Sequence, residues 1–274
     1  MLHEIEMKGI TAMDQSKNSF PCYGVIPARY GSTRFPGKPL AMIFGKPMIW
    51  HVYIQALNCP HLKNVIVATD DERILSETAS LGVPALMTRS DHRSGTDRVL
   101  EASRQMDLPT DAVVVNIQGD EPALEPVMIS ELVGPFKEPN VQVTTLACRI
   151  SSEDAKNADQ VKVVFDARGK ALYFSRSLIP YHRENPVSHF YGHIGLYAFR
   201  LKVLENFASL RPSPLERVEK LEQLRMLENN IPIKVVVTQH KSVGVDKPED
   251  ILTVSKLIKE RGQASYMKAL GIGD

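Results

Sequence analysis

This 274-residue chain is poor in cysteine, balanced in charge and free of long apolar runs, and each shortage excludes something. The three cysteines, Cys22, Cys59 and Cys148, show neither a CxxC pair nor a metal-ligand spacing. An odd count without a pairing pattern reads as free thiols in a reducing compartment, so a cytoplasmic location is expected. Lys and Arg total 33 against 32 Asp and Glu. The global positive field that non-specific nucleic-acid binding uses is missing, and no nucleic-acid partner is expected. No apolar run approaches the roughly 20 residues that cross a bilayer, so no membrane insertion is expected either. Residues 1–21 carry Glu4, Glu6, Lys8, Asp14 and Lys17 where a signal peptide would have its apolar segment, and a short, poorly ordered extension is the expectation there. Ser-His-Asp and Cys-His patterns are absent, as is any His/Cys cluster for structural zinc.

What is present is enough apolar residue, 43%, to bury a sizeable core without staples. The runs Gly24–Pro27, Val65–Ala68, Ala112–Ile117 and Val141–Ala147 are short, β-branched and separated by helix-length stretches, the signature of β-α units on a mostly parallel sheet. Pro47–Leu57 predicts a helix with Met48, Val52 and Ile54 along one face. Asp70 or Asp71 caps the next, which runs to about Leu81 before Gly82. After Val161 the texture changes to strand-like pieces, Val161–Phe165, Ala171–Phe174 and Ile194–Phe199, joined by irregular polar segments, as expected of an antiparallel or mixed insertion. Leu215, Val218, Leu221, Leu224 and Leu227 give helical spacing, Ile233–Thr238 returns to strand, and a last helix is expected near Pro248.

Three segments carry chemistry. Past the first strand, Arg29, Arg34 and Lys38 accompany Gly31 and Gly37, at the carboxyl end of a strand where open α/β sheets bind ligands. The glycines allow close backbone approach and the cations could neutralise a polyphosphate. A solvated basic turn accounts for the composition equally well, and the Gly-Lys-Ser/Thr ending of a P-loop is absent. Asn116-Ile117-Gln118-Gly119-Asp120-Glu121-Pro122 places Asp120 where an apolar strand ends, and Gly244-Val245-Asp246-Lys247-Pro248 places Asp246 before the last helix. Together the two carboxylates suit Mg²⁺, which takes one or two from protein and the rest of its shell from phosphate and water. Taken alone, Asp246 reads more simply as a helix cap.

Seven blocks occur in one order: Ile26-Pro27-Ala28-Arg29-Tyr30-Gly31-Ser32-Thr33-Arg34-Phe35-Pro36-Gly37-Lys38, Val67-Ala68-Thr69-Asp70, Ser94-Gly95-Thr96-Asp97-Arg98, Gln118-Gly119-Asp120-Glu121-Pro122, Tyr173-Phe174-Ser175-Arg176, His193-Ile194-Gly195-Leu196-Tyr197 and Leu221-Glu222-Gln223-Leu224-Arg225. From Tyr23 to about Ile258 the chain closely resembles the CMP-Kdo synthetase (3-deoxy-manno-octulosonate cytidylyltransferase) family. That resemblance implies an α/β, Rossmann-like nucleotide-diphospho-sugar transferase fold with a mostly parallel sheet and a mixed insertion. It implies one domain over 22–262, a tail over 263–274, and a homodimer through an insertion at about 150–200.

The resemblance also implies a site. Ala28, Arg29, Arg34 and Lys38 would meet the CTP phosphates, with Lys38 stabilising charge on the α-phosphate. Ser94, Gly95, Thr96 and Arg98 belong to the base-binding loop at Asp91–Arg98, where Arg93 stands in place of the family's common Gln and is left out of the site. Asp120 and Asp246 match the family's Mg²⁺ ligands. Gln118, Arg176, His193, Tyr197, Glu222 and Gln223 should face the acidic sugar; without the family, Arg176 reads as a surface or salt-bridge residue and His193 and Tyr197 as packed strand residues. The implied reaction is attack by the anomeric hydroxyl of Kdo on the α-phosphorus of CTP, giving CMP-Kdo for lipopolysaccharide biosynthesis. The rivals are activation of 8-amino-Kdo or sialic acid, and a non-catalytic nucleotide-sugar sensor.

Overall fold

Short β-branched runs build the sheet of this computed structural model, which describes residues 20–31, 34–181, 183 and 190–261. The expected N-terminal extension up to residue 19, Ser32 and Thr33 of the first block, most of the 182–189 connection and the tail from 262 lie outside the described residues.

Strand β1 (Cys22–Ala28) leads through a 3-10 turn at Lys38–Leu40 to the small hairpin β2 (Met42–Ile43) and β3 (Lys46–Pro47). Helix α1 (Met48–Leu57) follows, starting after Pro47, whose extended backbone and fixed φ suit a helix entry. It buries Met48, Ile49, Val52 and Ala56, while Ile54 is half-buried. Next come β4 (Leu62–Thr69) and α2 (Glu72–Ser80), which Asp71 caps by accepting from the Arg73 amide. Gly82, at φ 67°, turns the chain into β5 (Ala85–Met87). Helix α3 (Gly95–Gln105) opens on a capping box of Ser94 and Asp97. Then β6 (Val113–Asn116), α4 (Pro126–Val133), β7 (Val143–Ile150) and the short α5 (Ser152–Lys156) lead to the hairpin β8 (Lys162–Phe165) and β9 (Ala171–Ser175). The long β10 (Phe190–Arg200) runs into α6 (Leu201–Ser209), and α7 (Pro214–Glu219), α8 (Gln223–Glu228), β11 (Ile233–Thr238) and α9 (Asp250–Arg261) complete the described chain.

The strand order is β11-β7-β10-β6-β1-β4-β5. Strand pairs β6/β1, β1/β4, β4/β5 and β7/β11 are parallel, whereas β10 runs antiparallel to both β6 and β7. Its amino-terminal half also meets β8, which pairs antiparallel with β9, so the predicted mixed insertion is the β8-β9 hairpin together with β10.

Both sheet faces are covered, which is why the strands read as unbroken apolar runs rather than as alternations. Ile26, Val65, Val67, Val113 and Val115 pack with Met48 and Val52 of α1, Ile129 of α4 and Val254 of α9. Val25, Ile66 and Val114 face the other way, with Val99 of α3, Phe207 of α6 and Leu224 of α8.

The leucine spacing from 215 to 227 does not make one helix. Lys220 adopts a left-handed conformation at φ 56° and ψ 44°, and the chain breaks there into α7 and α8. Leu221 and Leu224 are buried, but Val218 is 81% exposed. The apolar period therefore continues across a backbone turn that periodicity does not register.

Candidate active site

Two glycines bring the first two chemical segments together. Gly37 takes φ 70°, and a Cβ there would meet the Tyr30 ring at 3.1 Å, so the turn that delivers Lys38 requires glycine. A Cβ on Gly119 would lie 2.7 Å from the Pro27 carbonyl oxygen, so only glycine lets the loop after β6 press against the end of β1. The third segment is tied in through the backbone, since the Val245 amide donates to the Asp120 carbonyl at 2.8 Å.

Lys38 is the junction. Its ammonium donates to Asp120 Oδ2 at 2.6 Å and to the Val245 carbonyl at 2.9 Å, and lies 3.7 Å from Asp246 Oδ1. Arg34 donates to Asp246 Oδ2 at 3.1 Å. The helix-cap reading of Asp246 is displaced: Asp250 accepts from the Asp246 and Lys247 amides, each at 2.8 Å, and this holds the Asp250 carboxyl below its usual range. Asp246 is thereby left to face Lys38 and Arg34.

Two carboxylates converging on one cationic position are a hard-oxygen donor set. Among the described residues no third Asp, Glu, His or Cys joins them as a metal-binding group. That arrangement fits a divalent cation that draws most of its shell from phosphate and water, and does not fit a closed protein cage.

Ala28, Arg29, Arg34, Lys38, Ser94, Gly95, Arg98, Gln118, Asp120 and Asp246 line one cleft of about 300 Å³. The start of α3 opens on it, and the positive end of the helix dipole there suits an anion. Arg98 is anchored differently from a free ligand group. Its guanidinium donates to Asp70 at 2.7 Å and to the Thr88 hydroxyl, joining the ends of β4 and β5 behind the cleft.

Thr96, Gln118, Arg176, His193, Tyr197, Glu222, Gln223 and Asp246 line a second cavity of about 490 Å³. Gln118 and Asp246 border both spaces. Thr96, expected on the nucleotide side, instead donates to Glu222 at 2.7 Å on the second cavity's wall. Burial raises the Glu222 carboxyl, tempered by the Thr96 and Ser94 hydroxyls and by Arg225. Arg176 is braced through its Nε and Nη1 by the carbonyls of Glu219 (3.0 Å) and Ala158 (3.2 Å), while Lys162 donates to the Arg176 carbonyl at 2.6 Å.

His193 is kept neutral, its imidazole pushed down to about 3 by enclosure although its edge opens on the cavity. The single proton of the Thr145 hydroxyl goes to the carbonyls of Leu196 (2.9 Å) or Ile194 (3.2 Å). The Thr145 oxygen then accepts from His193 Nε2 at 2.9 Å, which leaves Nδ1 as the ring's acceptor.

A larger cavity of about 700 Å³, beside Arg89, Arg217 and Lys220, contains none of Lys38, Asp120 and Asp246 and is not the chemical centre. Three contributors escaped the sequence reading: the Thr145 hydroxyl, the Gly195 carbonyl that receives Gln118 Nε2 at 2.9 Å, and Asn116 on the second cavity's wall. Only Asn116 left a signal, as a lone amide closing an all-valine run.

The family model described as Cytidylyltransferase matches residues 23–241. The chain belongs to that family. Among the cytidylyltransferases it resembles, the 3-deoxy-manno-octulosonate cytidylyltransferase of Oleidesulfovibrio alaskensis is 60% identical over 241 residues, covering 87% of this chain and 97% of the relative. The protein of the same name from Nitratidesulfovibrio vulgaris strain Hildenborough is 55% identical over 243 residues, covering 87% and 96%. A solved structure of CMP:2-keto-3-deoxy-manno-octonic acid synthetase complexed with CTP matches with a TM-score of 0.83 at 42% identity, covering 88% of this chain and 99% of that one. The cytidylyltransferase match takes in every cation and carboxylate of the two cavities except Asp246, which lies five residues beyond its end.

Proposed function

We propose that this chain transfers CMP from CTP to the anomeric hydroxyl of 3-deoxy-manno-octulosonate, forming CMP-Kdo and pyrophosphate for lipopolysaccharide biosynthesis. The observation that carries the reading is the position of Lys38. It stands in the first cleft between Asp120 and Asp246, and Asp246 and Gln118 also border the second cavity, so an α-phosphate at Lys38 would lie beside a sugar bound there.

In this reading Arg29 and Arg34 take the charge of the triphosphate, and the α3 amino terminus adds its partial positive charge. Lys38 leaves its contact with Asp120 for the α-phosphate, where it meets the negative charge that builds as the pyrophosphate bond breaks. Asp120 and Asp246, released from Lys38 and Arg34, would hold a divalent cation, which we read as Mg²⁺. When bound, that ion supplies Lewis-acid polarisation of phosphate oxygens and acidifies a nearby hydroxyl. Arg176, braced by the two carbonyls, presents the rest of its donor fork to the sugar carboxylate. His193, Tyr197, Glu222 and Gln223 read the sugar hydroxyls. The two cavities hold the reactants in line, and no covalent intermediate is required.

The same reading takes residues 22–262 as one catalytic domain and the segment at about 150–200 as a homodimer contact. Leu172, Leu178 and Tyr181 are exposed apolar or aromatic side chains within it. Sedimentation of the purified chain tests that contact.

Pyrophosphate release with CTP, UTP, GTP or ATP, with and without Kdo and Mg²⁺, tests the chemistry. Turnover requiring CTP, Kdo and Mg²⁺ together supports it. Preference for 8-amino-Kdo or sialic acid moves the substrate, and tight binding of CMP-sugar without turnover replaces the enzyme with a sensor.

A further inference from the structure

We propose that Asn116 is a sugar-reading residue that sets acceptor specificity, an inference that rests on the function proposed above. Asn116 is the last residue of β6 and is 3% exposed, after three valines that are completely buried. Its side-chain oxygen is buried and has no hydrogen-bond partner among the described residues. Directly opposite on β10, in register, stands Tyr197, whose buried hydroxyl makes no well-formed hydrogen bond among the described residues and has only the Thr145 hydroxyl close by. Both side chains border the 490 Å³ cavity.

An amide withdrawn from water without a partner is destabilising, and a strand end closed by valines offers no structural reason for one. A partnerless carboxamide oxygen facing an under-bonded phenol across adjacent strands, on the wall of one cavity, is what a site shaped to a polyhydroxylated ligand leaves behind when that ligand is away. The carboxamide both donates and accepts, so it can span neighbouring hydroxyls of the sugar, while the Tyr197 phenol takes a third contact. Burial raises that phenol well above its ordinary pKa, so it is a neutral donor throughout the working range. Arg176 would hold the acidic end of the sugar and the Asn116–Tyr197 pair its hydroxyl face. A sugar lacking the matching hydroxyl would leave the pair unpaired and be rejected.

The test is Asn116→Val, with Asn116→Ala as a second variant should the first fold poorly. Steady-state rates are measured with CTP and Kdo varied in turn, and melting temperature is measured without ligand. The expected result is a Kdo KM raised tenfold or more, a CTP KM within twofold of wild type, and a melting temperature equal to or above wild type for Asn116→Val. A structural amide would give the reverse: a lower melting temperature with both KM values disturbed together. That outcome, or an unchanged Kdo KM, overturns the proposal. If the wild type itself turns over no acidic sugar, the proposed function fails separately. Asn116 is then judged by the melting shift that Kdo or N-acetylneuraminate produces: a shift in wild type lost from the variant supports it, and equal shifts or none overturn it.

Discussion

The two halves of the site prepare for their ligands in opposite ways. On the nucleotide side the charges are already paired with one another, Lys38 with Asp120 and Arg34 with Asp246, at loop tips that solvent reaches. On the sugar side, neutral polar groups of β6 and β10 are held by the sheet, dehydrated and partly unpaired. Under the proposed function the first half would exchange partners to bind. The second is preorganised and must only be filled. In that reading an incoming triphosphate would displace these ion pairs, while the rigid wall behind would select the sugar.

The largest expected effect is on the nucleotide side. Asp120→Asn should lower kcat by about 10³-fold or more, because it removes a carboxylate that acts on developing charge, while leaving the melting temperature nearly unchanged. Pyrophosphate release at saturating CTP and Mg²⁺ measures it, and a loss below tenfold would erase the contrast between the halves.

Next is an effect of pH. His51, fully buried on α1 and 2.7 Å from the Ile43 carbonyl of β2, has its imidazole lowered to about 4 by desolvation. The unfolded chain takes up that proton near pH 6.5, and the folded one resists until about pH 4. The contribution is therefore fully present above pH 6.5 and lost as pH falls toward 4, by up to about 3 kcal/mol. Glu121, held up at about 7 chiefly by burial, acts in the opposite sense as pH falls from about 7 toward 4.5, and so offsets part of that loss. Chemical unfolding of wild type and His51→Gln at pH 7 and pH 5 isolates the imidazole: the variant should lose less on acidification.

On the sugar side, Tyr197→Phe should raise the Kdo KM about tenfold at unchanged CTP KM and cost little stability, since the hydroxyl it deletes keeps only a poorly formed contact with Thr145. A fall of several degrees in melting temperature would show that the sugar wall is not poised for a ligand. Smallest is Arg34→Ala. Its ion pair with Asp246 has both side chains more than half exposed, and its loss should change stability by less than about 1 kcal/mol and the CTP KM by only a few-fold.

The same division governs what the sequence made legible. The phosphate side lies in continuous loops after recognisable strands, so Arg29, Lys38 and Asp120 stood out by position, and both-face burial made β1, β4 and β6 plain. The sugar side is assembled from β6, β10, α8 and the end of β9, and its contacts depend on the cross-strand register of Asn116 with Tyr197, which no local pattern encodes. Lys220 shows the limit of periodicity, because one left-handed residue split a helix that the leucine spacing made continuous. Asp250 rather than Asp246 became the carboxylate that accepts the backbone amides leading into α9 for a similar reason: either suits that place by type, and only the backbone path decides.

Strand β10 has one more consequence, for the order in which the molecule can be made. Strands β6 and β7 are neighbours in sequence but not in space, since β10 fills the gap between them. On the ribosome the first half of the sheet must wait, with β6 and β7 each presenting an open edge, until residue 200 has emerged. Such edges template pairing with other chains. A product terminated before Phe190 should therefore aggregate rather than fold to a smaller domain, and any chaperone dependence of this protein should fall within that interval of synthesis.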